Sequence, residues 1–238
     1  MTIRAEVAPQ GGTVRPIRGR FGELRDALTF PLRAFALIDG PGRWGLSSLA
    51  SERMEYVRHY VLGRTLDIGC GRHNRFITEF LGGNGRGVDV FQYEGLDSTH
   101  LVGDLTRLPF TDGSFDSVTF IASLNHAPDR VRQREVDEAF RCLRTGGNIV
   151  VTMGNPIAEV AIHHLLAFYD RFLGTSVDVD GQRGMEEGES YYLTDTEIRC
   201  LLSHAGFVDM TKRSFVTQWG LNHLLIGTKP QSEERAVP

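Results

Sequence analysis

The chain has 238 residues, of which 41% are apolar, so it is long enough to bury the core of one large domain. Charged residues make up 24% and the formal net charge is -4. This balance excludes a global positive field that would gather nucleic acid or anionic lipid, although it leaves room for a small local patch. Cys70, Cys142 and Cys200 are odd in number and widely spaced, which fits neither a disulfide framework nor a metal knuckle.

The ends of the chain are polar. Residues 1–20 are rich in Gly, Pro and Arg and have no helical or strand period, so we expect a loosely held arm there and a frayed tail at 231–238. No segment reaches the roughly 20 apolar residues of a membrane span, and the start lacks the apolar core of a signal peptide. We therefore expect a cytoplasmic protein without a membrane span, either a monomer or a homodimer.

Helical periodicity opens the ordered part of the chain. Apolar residues recur at near-helical spacing over 21–38, with an interruption at Pro31, and again over 48–60. The spacing predicts N-terminal helices within 21–62, at the start of a single domain that covers 21–230.

Beyond Gly63, short apolar runs alternate with helical patterns. Strand and helix in repetition predict an α/β fold, with a doubly wound, mainly parallel sheet covered on both faces. Thr194 and Glu197 form a capping box for a late helix that stops at Gly206, and Trp219 is expected in the core. The seven predicted strands are 65–68, 87–90, 101–103, 116–122, 148–153, 207–212 and 224–228.

We predict that residues 155–192 form a cover, or lid, over the site of the substrate. Asn155 and Pro156 cap an unusually apolar helix at 157–173, and a long acidic loop follows. His163, Tyr191 and Tyr192 on this cover are candidate substrate contacts. The alternative is that His163 packs in the core and the tyrosines only anchor the loop.

Residues just after each parallel strand lie where such sheets bind ligands. Gly69 and Gly71 allow a tight turn and a close backbone approach, and the predicted following helix offers free N–H groups to an anion. Asp89, after the second strand, suits the two hydroxyls of a ribose. A dinucleotide fits these features equally well, except that Asn74 stands where its fingerprint has a third glycine.

Later strand ends distinguish the two ligands. The runs are Gly-Asp-Leu at 103–105, Leu-Pro-Phe at 108–110, Phe-Asp at 115–116 and Leu-Arg-Thr-Gly-Gly at 143–147. With these four motifs in order, the sequence over roughly 65–153 resembles the class I S-adenosylmethionine-dependent methyltransferases, especially their small-molecule branch. The resemblance implies a Rossmann-like methyltransferase fold, S-adenosylmethionine as cofactor and S-adenosylhomocysteine as product.

The resemblance also implies residue roles. The turn from Asp67 through Gly69 and Cys70 to Gly71 would hold the methionine part of the cofactor, with Cys70 as a small residue that fits the turn rather than a reactive thiol. The remaining contacts would be Asp89 on the ribose, Asp104 with the Leu105 backbone on the adenine, and Ser123 with Leu124 near the transferring methyl. The chain departs from the family pattern at Arg72-His73-Asn74, where another glycine is common.

A sulfonium methyl is already electrophilic, so the expected reaction is a direct SN2 transfer to a small molecule with alignment as the main contribution of the protein. His126, after the fourth strand, is the candidate general base, and its alternative role is a packed or loop-capping histidine. No third ligand accompanies the histidines at metal spacing, so we expect no metal. The alternatives left open are a non-catalytic S-adenosylmethionine-binding protein and an NAD(P)-dependent oxidoreductase. A nucleic-acid partner is not expected. Methyltransferases that act on the amino groups of nucleic acids usually have an Asn/Asp-Pro-Pro-aromatic run after the fourth strand, and residues 123–126 lack it.

Overall fold

The computed structural model describes residues 14–38, 40, 42–154, 187–190 and 192–231. The predicted helix at 157–173, most of the acidic loop, His163 and Tyr191 lie outside these described residues. The same holds for residues 1–13 and for most of the predicted tail.

One mixed sheet organises the domain, in the order β2-β1-β3-β4-β6-β5. The pairs β1–β2, β1–β3 and β3–β4 are parallel, and β6 runs antiparallel to both of its neighbours. The predicted fold class, a Rossmann-like α/β domain with a mainly parallel sheet, is therefore confirmed. The strands in the described part of the chain are β1 (Thr65–Ile68), β2 (Gly85–Val88), β3 (Phe115–Ile121), β4 (Leu143–Gly154), β5 (Val208–Ser214) and β6 (Asn222–Thr228).

The predicted count of seven strands is wrong for the described residues, which contain six. The third predicted strand, 101–103, is reduced to a single parallel bridge between Leu101 and Asp89. Its two hydrogen bonds run from Asp89 N to His100 O and from Val102 N to Asp89 O. The segment turns away at Gly103 before a second pair can form, so its position was predicted correctly and its length was not.

Helices cover both faces of the sheet. On one face α4 and α5 enclose the larger apolar cluster, and on the other α3 packs over Phe76, Phe80 and Phe215. The predicted capping box is present, because Thr194 Oγ1 accepts from Glu197 N and Glu197 Oε2 accepts from Thr194 N. The α-helices among the described residues are α1 (Arg20–Leu28), α2 (Phe30–Ala36), α3 (Leu49–Arg58), α4 (Asp129–Cys142) and α5 (Asp195–Ala205).

A buried ionic cluster fastens the N-terminal helices to the sheet. The Glu52 carboxylate is fully buried on α3 and accepts four hydrogen bonds, two on each oxygen. Oε1 takes Arg18 Nη1 at 2.8 Å and the Thr217 hydroxyl, while Oε2 takes Arg33 Nη2 at 2.5 Å and Gln218 Nε2 at 2.7 Å. Since Arg18 belongs to this cluster, the expectation of a loosely held arm at 1–20 does not hold for the described residues 14–20.

Candidate cofactor and active site

A cavity of about 610 Å³ opens beyond the carboxyl ends of β1, β2 and β3. Its volume is in the range of sites for small molecules and cofactors. The sequence-predicted residues that line it are Gly69, Cys70, Gly71, Asp89, Leu105, Ser123 and His126. Residues far apart in the chain therefore meet at the edge of the sheet where ligands were expected.

The turn after β1 depends on its glycines. Gly69 has φ +75°, and a Cβ there would collide with the side chain of Ser123. The Ser123 hydroxyl donates to Ile68 O at 2.6 Å, which ties the end of β3 to the end of β1. Gly71 has φ +61°, and the space where its Cβ would stand is open. A ligand can therefore approach the backbone closely along this turn.

Asp89 is held in place by the backbone on both sides. Gly71 N donates to Asp89 Oδ2 and Phe91 N donates to Asp89 Oδ1, each at 3.0 Å. The residue is only 5% exposed, yet it lines the cavity. Because each carboxylate oxygen has a second lone pair, the group can still accept hydrogen bonds from two neighbouring hydroxyls.

No regular α-helix follows the glycine turn, so the predicted helix N-terminus for an anion is wrong in that form. A 3₁₀ turn (Arg72–Asn74) and a π-helical turn (Phe76–Phe80) stand in its place. His73 and Asn74 have positive φ, and the His73 ring lies against Gly95. The departure of this run from the family pattern thus has a backbone consequence, since two non-glycine residues adopt a conformation that usually favours glycine.

Asp67 lies beneath the turn and does not line the cavity. Its carboxylate is buried and accepts from Thr119 Oγ1 at 2.6 Å. Burial raises the pKa of Asp67 to about 7, and the nearby charge of Asp89 adds to this, while the bond from Thr119 acts in the opposite direction. Asp67 is therefore a buried group that links β1 to β3 through Thr119 rather than part of the cavity wall.

The raised pKa of Asp67 predicts a falling stability with rising pH. The folded protein keeps a proton on Asp67 from pH 3.8, the ordinary value, up to about 7, whereas the unfolded chain has lost it. The contribution of Asp67 to the free energy of unfolding should fall by up to about 1.4 kcal/mol per pH unit across that window and stay level above it. Urea denaturation at several pH values should show this slope reduced in Asp67→Asn, which keeps an acceptor for Thr119. A control variant, Asp112→Asn at an exposed position, should keep the slope, and parallel curves for the native chain and Asp67→Asn would contradict the assignment.

Of the other predicted cofactor residues, some line the cavity and some do not. Leu105 reaches the cavity, but the exposed Asp104 does not line it, and its carboxylate accepts from Thr106 N and Oγ1 at 2.8 and 2.7 Å. These bonds hold the pKa of Asp104 below its usual range. Leu124 is fully buried in the main apolar cluster rather than in the cavity wall.

Cys70 lines the cavity but is mostly buried. Burial, together with the charges of Asp67 and Asp89, raises the pKa of its thiol. The thiol is therefore protonated at neutral pH, which agrees with a small residue that fits the turn.

His126 reaches the cavity from the 3₁₀ turn (Leu124–His126) after β3. Its Nδ1 lies 3.4 Å from Glu189 Oε2, and the Glu189 side chain is buried while the His126 side chain is 38% exposed. His126 therefore lines the cavity with a buried carboxylate beside its Nδ1, and a general base needs such a position near the ligand. Tyr192, also a candidate, packs against the main apolar cluster instead.

The cavity also contains residues that the sequence did not reveal. Arg53 and Met54 reach it from α3, and Arg53 Nη2 donates to Asn222 Oδ1 at 3.2 Å. Glu189, at the end of the acidic loop, lies beside His126. Neither α3 nor Glu189 carries a local sequence motif. These residues come to the site only when segments distant in the chain pack together, so the sequence did not predict their position. Within the described residues, no group of three or more His, Cys, Asp or Glu side chains is placed to hold a metal ion.

The sheet and the cavity at its carboxyl edge define an α/β domain of the Rossmann-like class. Residues 66–151 match the family model described as a methyltransferase domain. Solved structures share the fold: a Thermotoga maritima S-adenosylmethionine-dependent methyltransferase has a TM-score of 0.55 at 17% identity, over 87% of this chain and 96% of that one. Residues 66–151 are therefore similar to the methyltransferase domain, and the chain shares the fold of this solved methyltransferase.

Curated relatives carry methyltransferase names. A sterol 24-C-methyltransferase of Yarrowia lipolytica is 32% identical over 41% of this chain and 30% of its own length. A ubiquinone/menaquinone biosynthesis C-methyltransferase of Desulfotalea psychrophila is 29% identical over 55% and 56%. A demethylmenaquinone methyltransferase of Staphylococcus epidermidis is 27% identical over 72% and 78%. The chain thus spans less than two thirds of the length of the first of these relatives.

S-adenosylmethionine is the cofactor that the matched methyltransferase domain implies, and the residues of the cavity are compatible with it. The carboxylate of Asp89 has lone pairs that could accept from the ribose hydroxyls, and the space at Gly71 is open to a ligand. The close approach of Ser123 requires the glycine at 69.

Proposed function

We propose that this chain transfers the methyl group of S-adenosylmethionine to a small-molecule acceptor. The observation that carries the proposal is the Asp89 carboxylate, which two backbone amides orient at the edge of a cavity lined by the glycine turn. When bound, S-adenosylmethionine supplies an electrophilic methyl on a sulfonium centre, and S-adenosylhomocysteine is the product that leaves.

The residues of the chain have separate tasks in this proposal. Asp89 binds the ribose, the backbone at Gly69 and Gly71 admits the methionine end, and Leu105 packs beside the adenine. His126 takes the proton that the acceptor loses, and Glu189 orients its imidazole at Nδ1. Orientation and exclusion of water supply the rest of the acceleration, which for well-aligned reactions reaches roughly 7–11 kcal/mol.

The acceptor in this proposal has a substantial apolar part. Met54, Val90, Phe120 and Ile121 contribute to the cavity wall, and the matched relatives are named for sterols and quinones. An NAD(P)-dependent oxidoreductase is not favoured by these relatives. No helix in the described part of the chain is both long and apolar enough to cross a membrane.

Calorimetry with S-adenosylhomocysteine tests the proposal. The native chain should bind it, and Asp89→Ala should weaken binding by at least about 1–3 kcal/mol, roughly 5- to 150-fold, because a charged acceptor of hydrogen bonds is lost. Asp112→Ala removes an exposed carboxylate paired with Arg141 on the surface and should leave the affinity unchanged. Absence of any heat of binding for the native chain would overturn the proposal.

A further inference from the structure

Helix α1 is amphipathic, but its apolar face points to solvent and its polar face points to the protein interior. Phe21, Leu24 and Leu28 share one face of the helix and are 82%, 59% and 73% exposed. Asp26, on the opposite face, is fully buried and pairs with Arg18 Nη1 at 2.5 Å. A surface helix of a globular protein normally turns its apolar stripe to the core, so this outward stripe is a candidate interaction surface.

The apolar stripe continues onto neighbouring elements. Leu32 on α2 is 50% exposed, and Val216 and Trp219, next to α1, are 76% and 61% exposed. The Trp219 indole is fixed here, because its Nε1 donates to Ala27 O at 2.9 Å and its ring packs on Phe30. The prediction that Trp219 lies in the core is therefore wrong. We call Phe21, Leu24, Leu28, Leu32, Val216 and Trp219 the α1 surface.

Basic residues flank the α1 surface. At about 100° per residue, Arg20 lies to one side of the stripe on α1 and Arg25 to the other. Arg20 is exposed, whereas the Arg25 side chain is 41% exposed and its Nη2 pairs with Asp26 Oδ1 at 3.4 Å. Gly45, beside the exposed Trp44, lies against the Arg25 guanidinium. An apolar face with basic flanks and peripheral tryptophan is typical of helices that lie in the interface of an anionic bilayer.

The segment that follows α2 connects the α1 surface to the cavity along the chain. Leu32 of the α1 surface lies on α2, Ile38 after it is exposed, and Gly40 lines the cavity. Ala50 N donates to Ile38 O at 3.0 Å, which holds this segment against α3. The α1 surface and the cavity are therefore linked through α2 and α3.

We propose that the α1 surface docks on the surface of an anionic lipid bilayer, and that the methyl acceptor is a lipophilic molecule drawn from that bilayer. The second half of this inference rests on the proposed function, whereas the docking half does not. The net charge of -4 is no obstacle, since attraction to anionic lipid acts locally and falls off within a Debye length of the basic residues.

Flotation with lipid vesicles tests the docking. The full chain should bind vesicles of phosphatidylglycerol and phosphatidylcholine in equal parts, bind pure phosphatidylcholine more weakly, and be released by high salt. Both tryptophans of the chain, Trp44 and Trp219, are exposed, so their emission should shift to the blue on binding. The triple variant Phe21→Ser, Leu24→Ser, Leu28→Ser should reduce the bound fraction by about tenfold or more.

Matched variants test whether vesicle binding depends on the α1 surface or on exposed apolar residues in general. Leu62→Ser changes an exposed leucine whose backbone bonds to Ser117 near the amino ends of the strands, on the far edge of the sheet, and should bind vesicles like the native chain. Arg20→Gln with Arg25→Gln should lose the preference for anionic vesicles.

Three results would overturn the docking. They are no vesicle binding by the native chain, equal weakening by Leu62→Ser, or a native dimer in light scattering that the triple variant dissociates while neither form binds vesicles. The last result would mean that the α1 surface buries a second copy. Calorimetry with S-adenosylhomocysteine on the same samples keeps the two proposals apart, because vesicle binding without cofactor binding would reject only the enzyme.

Discussion

Replacing His126 by alanine is expected to lower methyl transfer by roughly 10²- to 10⁴-fold, the contribution of a positioned general base. Affinity for S-adenosylhomocysteine should stay within about twofold of the native value, since the cofactor contacts in our proposal come from the glycine turn, Asp89 and Leu105. Turnover is measured as release of S-adenosylhomocysteine with an acceptor from a panel of hydroquinones and sterols.

Glu189 gives this prediction a second measurement. Its carboxylate lies 3.4 Å from His126 Nδ1 and is buried, so Glu189→Gln should keep the shape of the side chain and weaken the contact that orients the ring. Turnover should then fall by less than in His126→Ala, while the affinity for S-adenosylhomocysteine stays at the native value. If His126 only packs, Glu189→Gln should leave turnover unchanged.

His59→Ala is the matched control, because His59 is exposed at the end of α3 and does not line the cavity. It should leave both rate and affinity unchanged. An unaltered rate in His126→Ala would show that His126 only packs or caps its turn. Cofactor binding without turnover on any acceptor by the native chain would instead favour a non-catalytic binding protein.

The sequence predicted the ligand edge of the sheet well because its signals are local. A strand that ends at Ile68, glycines at 69 and 71 and an acid at 89 each leave a pattern within a few residues. The structure places these residues around one cavity. It also shows that Asp67 and Leu124, which a family pattern groups with them, lie beneath the cavity rather than in its wall.

Features that depend on pairing or on distant contacts were missed. The third strand has apolar residues of the right kind, but its pairing ends after one bridge. The helix expected after Gly71 is broken, because His73 and Asn74 take positive φ while His73 packs on Gly95, more than twenty residues away. Periodicity carries no information on either contact.

For the N-terminal helices, the sequence predicted the elements but not the direction in which their apolar face points. Their apolar spacing correctly predicted helices within 21–62, and the usual inference would turn that stripe inward. The structure turns it outward on α1, because the inner face is occupied by Asp26 and by the charged cluster around Glu52. A hydrophobic pattern shows which residues share a face, but a buried carboxylate can decide which way that face points.

Replacing Glu52 by alanine should therefore be among the most destabilising single changes in the described part of the chain. It removes the carboxylate that receives Arg18, Arg33, Thr217 and Gln218, and it leaves Arg33 fully buried without its ion-pair partner. Breaking one side of a buried pair costs about 3–5 kcal/mol, which urea denaturation would measure as a loss in the free energy of unfolding. Glu23→Ala, at an exposed position on α1, should change it by no more than about 0.5 kcal/mol. If Glu52→Ala cost no more than Glu23→Ala, the cluster would not be what fastens α1 and α2 to the sheet, and the outward direction of the α1 surface would need another cause.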